Sequence, residues 1–257
     1  MKQQFDDFYT WGKQELNIEL NGYKERQLQR RIVTIMRKNG LENLKDYAKL
    51  LTNNPSRKQE FLDYITINVT EFYRNKNIFS EFENILVQNL AKKFPSLKIW
   101  SAACSTGAEA FSLAMVLYKE QLANRCTIVG TDIDEMILEK ARMGMYPEHE
   151  VKNISEFDLK KFFILKGKHY YLKNEIKQMV SFKKQDLILE EYEKGFHAII
   201  CRNVTIYFKD DIKEAIYQKF SDSLVTGGIL FIGATETIYH PEQYHFKKIG
   251  SFLYQKI

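Results

Sequence analysis

No apolar run in this chain approaches the roughly 20 residues that cross a bilayer as a helix, so membrane insertion is not expected. Histidine is scarce, and His149, His169, His197, His240 and His245 show no ligand spacing, so no metal site is expected. Three cysteines, Cys104, Cys126 and Cys201, form neither an even set nor a CxxC pair. That argues against both a disulfide framework and a zinc cluster. Cys201 closes an apolar run and is expected as core packing rather than as a thiol nucleophile. The segment Met1–Glu15 lacks the basic start and apolar stretch of a secretion signal. A reducing cytoplasm fits these absences. Internal repeats and low-complexity tracts are also missing.

What is present is ordinary for a globular chain: 44% apolar and 28% charged residues in 257. A net charge of +5 suits an anionic partner, whether an acidic protein surface or RNA, without choosing between them.

Two regions differ in pattern. Up to about Asn75 the chain reads as all helical, with Phe5, Phe8, Tyr9 and Leu16 at helical spacing. A second helix, Tyr23–Lys38, carries Leu28, Ile32, Ile35 and Met36 on one face, and Asn39-Gly40 ends it. Helices at Leu44–Leu51 and Ser56–Ile67 are separated by Asn53-Asn54-Pro55. Residues 76–257 then alternate strand and helix. Near-continuous apolar runs at Leu97–Ala102, Cys126–Thr131, Phe196–Cys201 and Gly228–Gly233 suit strands covered on both faces. Helices at Ala108–Gln121 and Asp210–Leu224 lie between them, and Phe246–Ile257 suggests a final hairpin. The fold class is therefore a doubly wound, Rossmann-like α/β domain after an all-helical N-terminal domain, residues 1–75. One stretch breaks the alternation: residues 146–182, with a helix candidate at Ser155–Lys166 and strands at His169–Leu172 and Val180–Lys183, predict an inserted β-subdomain.

Open parallel sheets bind ligands beyond the carboxyl ends of their strands. The first strand here ends in Ser101-Ala-Ala-Cys-Ser-Thr-Gly107, whose small residues allow close backbone approach. It lacks the GxGxxG that seats a pyrophosphate, and Glu109 would repel one. Glu109 could instead hold an ammonium. Asp132, about 25 residues on, is placed to accept hydrogen bonds from ribose hydroxyls. Ribose plus ammonium without phosphate points to S-adenosylmethionine; a small-residue turn kept for helix–strand packing is the alternative.

The runs Ile99-Trp-Ser-Ala-Ala-Cys-Ser-Thr-Gly107, Thr131-Asp-Ile-Asp134, Cys201-Arg-Asn-Val204 and Ile206-Tyr-Phe208, with Thr66-Ile-Asn-Val-Thr-Glu-Phe-Tyr-Arg74 upstream, closely resemble the CheR family of chemotaxis receptor glutamate methyltransferases. Order and spacing are kept over nearly the whole chain. The resemblance implies a class I methyltransferase domain with S-adenosyl-L-methionine as cofactor and S-adenosyl-L-homocysteine as product. It places Asn68, Thr70 and Arg74 at the cofactor and substrate mouth, Glu109 on the amino group and Asp132 on the ribose. Asp186 and Leu187 would line the adenine side, Arg202 and Asn203 the methionine portion, and Tyr207 the methyl. Arg74 and Tyr207 are the catalytic candidates, Arg74 by orienting the substrate carboxylate. The sequence departs from the family where Ser105-Thr-Gly-Ala-Glu-Ala110 replaces Ser-Thr-Gly-Glu-Glu-Pro, where Asp186 replaces asparagine and where His197 replaces aspartate.

The second helix carries Lys24, Arg26, Arg30, Arg31, Arg37 and Lys38 against one acid, Glu25. Arg26, Arg30, Arg31 and Arg37 are candidates for docking the cytoplasmic helices of methyl-accepting chemotaxis receptors, which the resemblance implies as partners; nucleic acid and self-association are not expected. Other readings are an RNA or small-molecule methyltransferase on the same fold, and a non-catalytic adaptor that binds cofactor or receptor, motivated by Ala108, Ala110 and Asp186.

Overall fold

In the computed structural model, which describes residues 2–257, the early helical periodicity is realised as α1 (Lys2–Leu16), α2 (Glu25–Lys38), α3 (Leu44–Asn53) and α4 (Pro55–Thr66). The Asn43 side chain caps α3 by accepting from Asp46 N. Asn54 caps α4 in the same way through Arg57 N, with Pro55 supplying the first turn. The aromatic rings of Phe8, Tyr47 and Phe61 meet at centroid distances of 5.8–6.1 Å and centre this core. It ends at Ile65. Phe72 and Tyr73, placed by the sequence in the helical domain, pack into the α/β core instead.

Next come α5 (Lys76–Ile85), a π-helical turn at Leu86–Leu90 and α6 (Ala91–Lys93). No element is predicted here from the sequence, although Phe79, Phe82, Leu86 and Leu90 lie buried along one side. Then follow β1 (Leu97–Ala102), α7 (Ala108–Lys119), β2 (Cys126–Asp132), α8 (Glu135–Met143), β3 (Met145–Pro147), α9 (Glu148–Val151) and α10 (Glu156–Phe162). The chain continues through β4 (Phe163–Lys166), β5 (His169–Leu172), α11 (Asn174–Lys177), β6 (Val180–Lys184) and β7 (Phe196–Cys201). It closes with α12 (Asp210–Ser223), β8 (Leu224–Ile232), β9 (Phe246–Lys248) and β10 (Leu253–Lys256).

The large sheet has seven strands in the order β6-β2-β1-β7-β8-β10-β9. The first five are parallel; β10 and β9 are antiparallel and form the expected terminal hairpin. Because strand side chains alternate, Ile99, Ile200 and Phe231 face one helical layer while Trp100, Ile199, Cys201 and Leu230 face the other. This explains the uninterrupted apolar runs. Order reverses between β1 and β7, so the cleft at their carboxyl ends is the topological switch point.

Two expectations for the insertion are corrected. The candidate helix Ser155–Lys166 divides into α10 and β4, because Ile164 and Leu165 pair with β5 in a small sheet ordered β3-β5-β4. Val180–Lys184 is not part of that sheet. It pairs in parallel with β2 and forms the edge of the large one.

Candidate active site

The backbone after β1 turns repeatedly through positive φ, unusually at the non-glycine residues Ala103 (55°) and Ser105 (52°) and then at Gly107 (79°). At Gly107 a Cβ would meet Phe182 at 2.9 Å and Ala141 at 3.0 Å, so glycine is required for space as well as for conformation. The loop is pinned from β2, with Cys104 N donating to Thr131 O at 2.8 Å and Ser105 N to Asp132 Oδ2 at 2.8 Å. Asp132 Oδ1 accepts from Asp134 N at 3.1 Å. Burial pushes the Asp132 carboxyl up to about 6, opposed by these backbone donors.

Glu109, in the first turn of α7, accepts from Ser101 Oγ at 2.8 Å and pairs with Arg202 Nη1 at 3.4 Å. Burial raises it above the usual carboxylate range, and Arg202 and Ser101 pull it back. Arg202 lines the cleft and is also bonded outside it. Its Nη2 donates to Arg74 O at 2.8 Å and to Asn75 Oδ1 at 3.0 Å, and the guanidinium lies over the Phe231 ring. It borders the cleft but chiefly fastens the segment that carries Arg74.

That segment, joining the two domains, is held from several sides. Ile67 takes φ 53°, rare for a β-branched residue. Asn68, expected at the cofactor mouth, donates its amide to Asp134 Oδ2 at 3.0 Å and so ties the junction to the start of α8. Gln59 reaches Asp134 Oδ1 at 3.0 Å from α4. The insertion grips Phe72: its N donates to Glu150 O, its O accepts from Asn153 Nδ2, and its ring meets Tyr146 and Phe163 at 4.8 and 5.5 Å. Tyr146 and Glu150 also bond Thr106 of the β1 loop. Phe72→Ala is therefore expected to cost about 3–5 kcal/mol of stability in denaturant titration, and to lower turnover by freeing Arg74 two residues away.

On the opposite wall, Asp186 Oδ1 accepts from Ile188 N at 2.7 Å and Leu189 N at 3.2 Å, while Oδ2 is buried without a partner. Asn203 follows β7 at φ 62°. One cleft of about 910 Å³, open mouth included, is lined by all ten site residues read from the sequence: Asn68, Thr70, Arg74, Glu109, Asp132, Asp186, Leu187, Arg202, Asn203 and Tyr207. Tyr23 and Gln185 also line it and were missed. Tyr23 arrives by packing edge-on to Phe208 at 5.0 Å, a long-range pairing with no sequence signature.

Among the described residues, ten buried side-chain polar atoms lack a partner; Ser105 Oγ, Asp186 Oδ2, Arg202 Nε and Asn203 Oδ1 belong to this cleft. Buried polar groups are normally paired. Ser105 Oγ, Asp186 Oδ2 and Asn203 Oδ1 can accept whereas Arg202 Nε donates, and the cations lining the cleft are Arg74 and Arg202. The carboxylates of Asp132, Glu109 and Asp186 line one cleft, a set that can accept hydrogen bonds from hydroxyl, ammonium or amine groups.

Two departures from the family pattern lie away from the cleft. Ala108 and Ala110 are fully buried in the helix–sheet core. His197 accepts from Lys98 N at 3.0 Å and packs against Phe94. Only Asp186 borders the ligand space.

The basic face of α2 is narrower than its sequence implies. Arg26, Arg30 and Arg37 are exposed. Arg31 instead donates to Tyr64 O and stacks on the Tyr64 ring, 4.6 Å to centroid, and Lys38 pairs with Glu60 at 2.8 Å. At 3.6 residues per turn, Arg26, Arg30 and Arg37 fall within about 40° of one another, opposite Leu28 and Ile32. Arg31 flanks that apolar stripe, roughly 60° from Leu28, a position that favours packing.

Residues 68–254 match the family model described as "CheR methyltransferase, SAM binding domain", and residues 3–66 match "CheR methyltransferase, all-alpha domain". The chemotaxis protein methyltransferase of Listeria innocua is 37% identical over 245 residues, covering 95% of this chain and 94% of that protein. The chemotaxis protein methyltransferase of Escherichia coli is 32% identical over 240 residues, covering 90% and 82%. A TehB-like SAM-dependent methyltransferase structure from Corynebacterium glutamicum aligns with 71% of this chain and 95% of its own at 15% identity and a TM-score of 0.39.

Proposed function

The chain belongs to the CheR methyltransferase family, and from that premise we propose that it methylates glutamate carboxylates on the cytoplasmic helices of methyl-accepting chemotaxis receptors. Membership carries S-adenosylmethionine-dependent methyl transfer in chemotaxis with it; receptor and residue are the proposed part. The observation that supports it most is the pairing, in one cleft, of unpartnered buried acceptors with the half-buried guanidinium of Arg74. Arg74 Nη1 donates to Val69 O at 3.0 Å. Its remaining N–H groups are free to receive a carboxylate.

S-adenosylmethionine, when bound, supplies an electrophilic sulfonium methyl. A glutamate side chain, with an ordinary pKa of about 4.3, is already ionised at neutral pH and needs no general base. What remains is proximity and alignment, which contribute roughly 7–11 kcal/mol in well-oriented systems. Arg74 orients the carboxylate by charge-assisted hydrogen bonds, and Tyr207 borders the same space. Glu109, Asp132 and Asp186 hold the amino, ribose and adenine ends.

The test is transfer of radiolabelled methyl from S-adenosylmethionine to membranes bearing receptors, followed by base-labile release as methanol. Label that survives base would overturn carboxyl methylation. Cofactor binding without label on a competent receptor would favour an adaptor.

Docking is proposed on the exposed face of α2. Replacing Arg26, Arg30 and Arg37 with glutamate is expected to raise the KM for receptor about tenfold at low salt, and less at high salt, with cofactor affinity unchanged. Receptor methylation rates measured across ionic strength check it; a salt-independent KM equal to wild type would leave these arginines as solvated surface.

A further inference from the structure

Just beyond β8, Glu236 is 4% exposed and does not line the cleft. Its carboxylate accepts five hydrogen bonds. Oε1 receives Thr205 N at 2.8 Å, Thr205 Oγ1 at 2.8 Å and Val204 N at 3.1 Å. Oε2 receives Asn203 N at 2.9 Å and Gly233 N at 2.6 Å. Four of these donors belong to three consecutive residues of the loop after β7.

Three successive backbone N–H groups pointing the same way form a concavity that calls for an anion. Here β7 has ended, Asn203 has turned to φ 62°, and no neighbouring strand supplies carbonyls to these groups. Glu236 supplies the charge from within the protein. The same loop carries Arg202, Asn203 and Tyr207 into the cleft. Tyr207 O also accepts from Lys24 N at 2.8 Å, linking the loop to the helical domain. Gly233 makes the arrangement possible: a Cβ there would lie 2.5 Å from Glu236 Oε2 and 2.7 Å from Asn203 N.

We infer that Glu236 is a positioning residue for cofactor binding and methyl transfer, acting through the Asn203–Tyr207 loop. The inference rests on the cleft being the S-adenosylmethionine site. Glu236→Gln keeps the side chain's size but turns an amide N–H toward backbone donors, so the loop must move.

Calorimetry with S-adenosylhomocysteine and receptor-methylation kinetics are run on wild type and variants below their unfolding midpoints, with the folded fraction fixed by near-ultraviolet circular dichroism. Glu236→Gln is expected to weaken S-adenosylhomocysteine at least tenfold and to lower kcat at saturating cofactor at least tenfold. Thr205→Val, which removes one donor, shifts both in the same direction by about threefold. A lower midpoint with unchanged Kd and kcat per folded molecule overturns the inference and leaves Glu236 a purely structural residue. Should Glu236→Gln not fold, Thr205→Val and Gly233→Ala decide on the same readouts. A wild-type chain that binds no S-adenosylhomocysteine overturns the reading of the cleft as well, whereas wild-type binding with unaffected variants overturns this inference alone.

Discussion

Replacing Arg74 with alanine is expected to lower receptor methylation by about 10²–10⁴ while S-adenosylhomocysteine affinity stays within a few-fold of wild type. Hydrogen bonds to charged groups contribute roughly 1.5–3 kcal/mol each, so two lost from a carboxylate in the transition state account for that range. Stability should change little. The guanidinium makes one hydrogen bond, within its own loop, and the segment is held by Phe72, Asn68 and Arg202. Arg74→Lys keeps the charge but loses the planar fork, and should recover only part of the rate. Single-turnover transfer at saturating cofactor, set beside calorimetric affinity, separates the outcomes. If affinity collapses along with turnover, Arg74 holds cofactor rather than substrate. If neither changes, it serves only the domain junction.

Asp132 should matter far more to binding than to net stability. Its carboxyl sits at about 6 in the folded chain, against 3.8 for an ordinary aspartate. The folded state therefore takes up a proton more readily than the unfolded one between those values. Stability contributed by this group is highest below about pH 4 and declines as pH rises through about 6. At neutral pH the ionised, buried carboxylate costs on the order of 3 kcal/mol relative to an unshifted one. Asp132→Asn removes that cost, but its amide leaves one backbone N–H without an acceptor, a loss of about 1–3 kcal/mol. Stability should end near wild type. Cofactor affinity should fall roughly 30- to 100-fold, because a charged acceptor facing the ribose is gone. In the wild type, affinity should drop by up to tenfold per pH unit below about 6, the value set by Asp132. Titration calorimetry between pH 5 and 8 checks this: a flat profile, or an unaffected asparagine variant, would remove Asp132 from the ribose.

The amino-acid sequence alone determined the periodic elements and the small-residue turn. Buried strands such as Phe196–Cys201 are continuous apolar runs because a parallel sheet is covered on both faces, and α2 shows a stripe because only one side is packed. Ser101–Gly107 and Asp132 were legible for a related reason: a ligand that approaches the backbone at the end of a strand needs small residues and a nearby acid at short, fixed spacing. Tertiary structure decided what depends on distant partners. Strand Val180–Lys184 has no local mark saying whether it pairs with β2 or with the insertion. Arg31 and Arg30 are adjacent and chemically identical, yet Tyr64, 33 residues away from Arg31, engages one while the other stays in solvent. Asn68 and Arg202 reach the expected cleft, but Asp134 and Arg74 O take their hydrogen bonds. Glu236 carries no motif, because an acid that gathers backbone N–H groups is defined by where those groups converge, and that convergence exists only once β7 and β8 lie side by side.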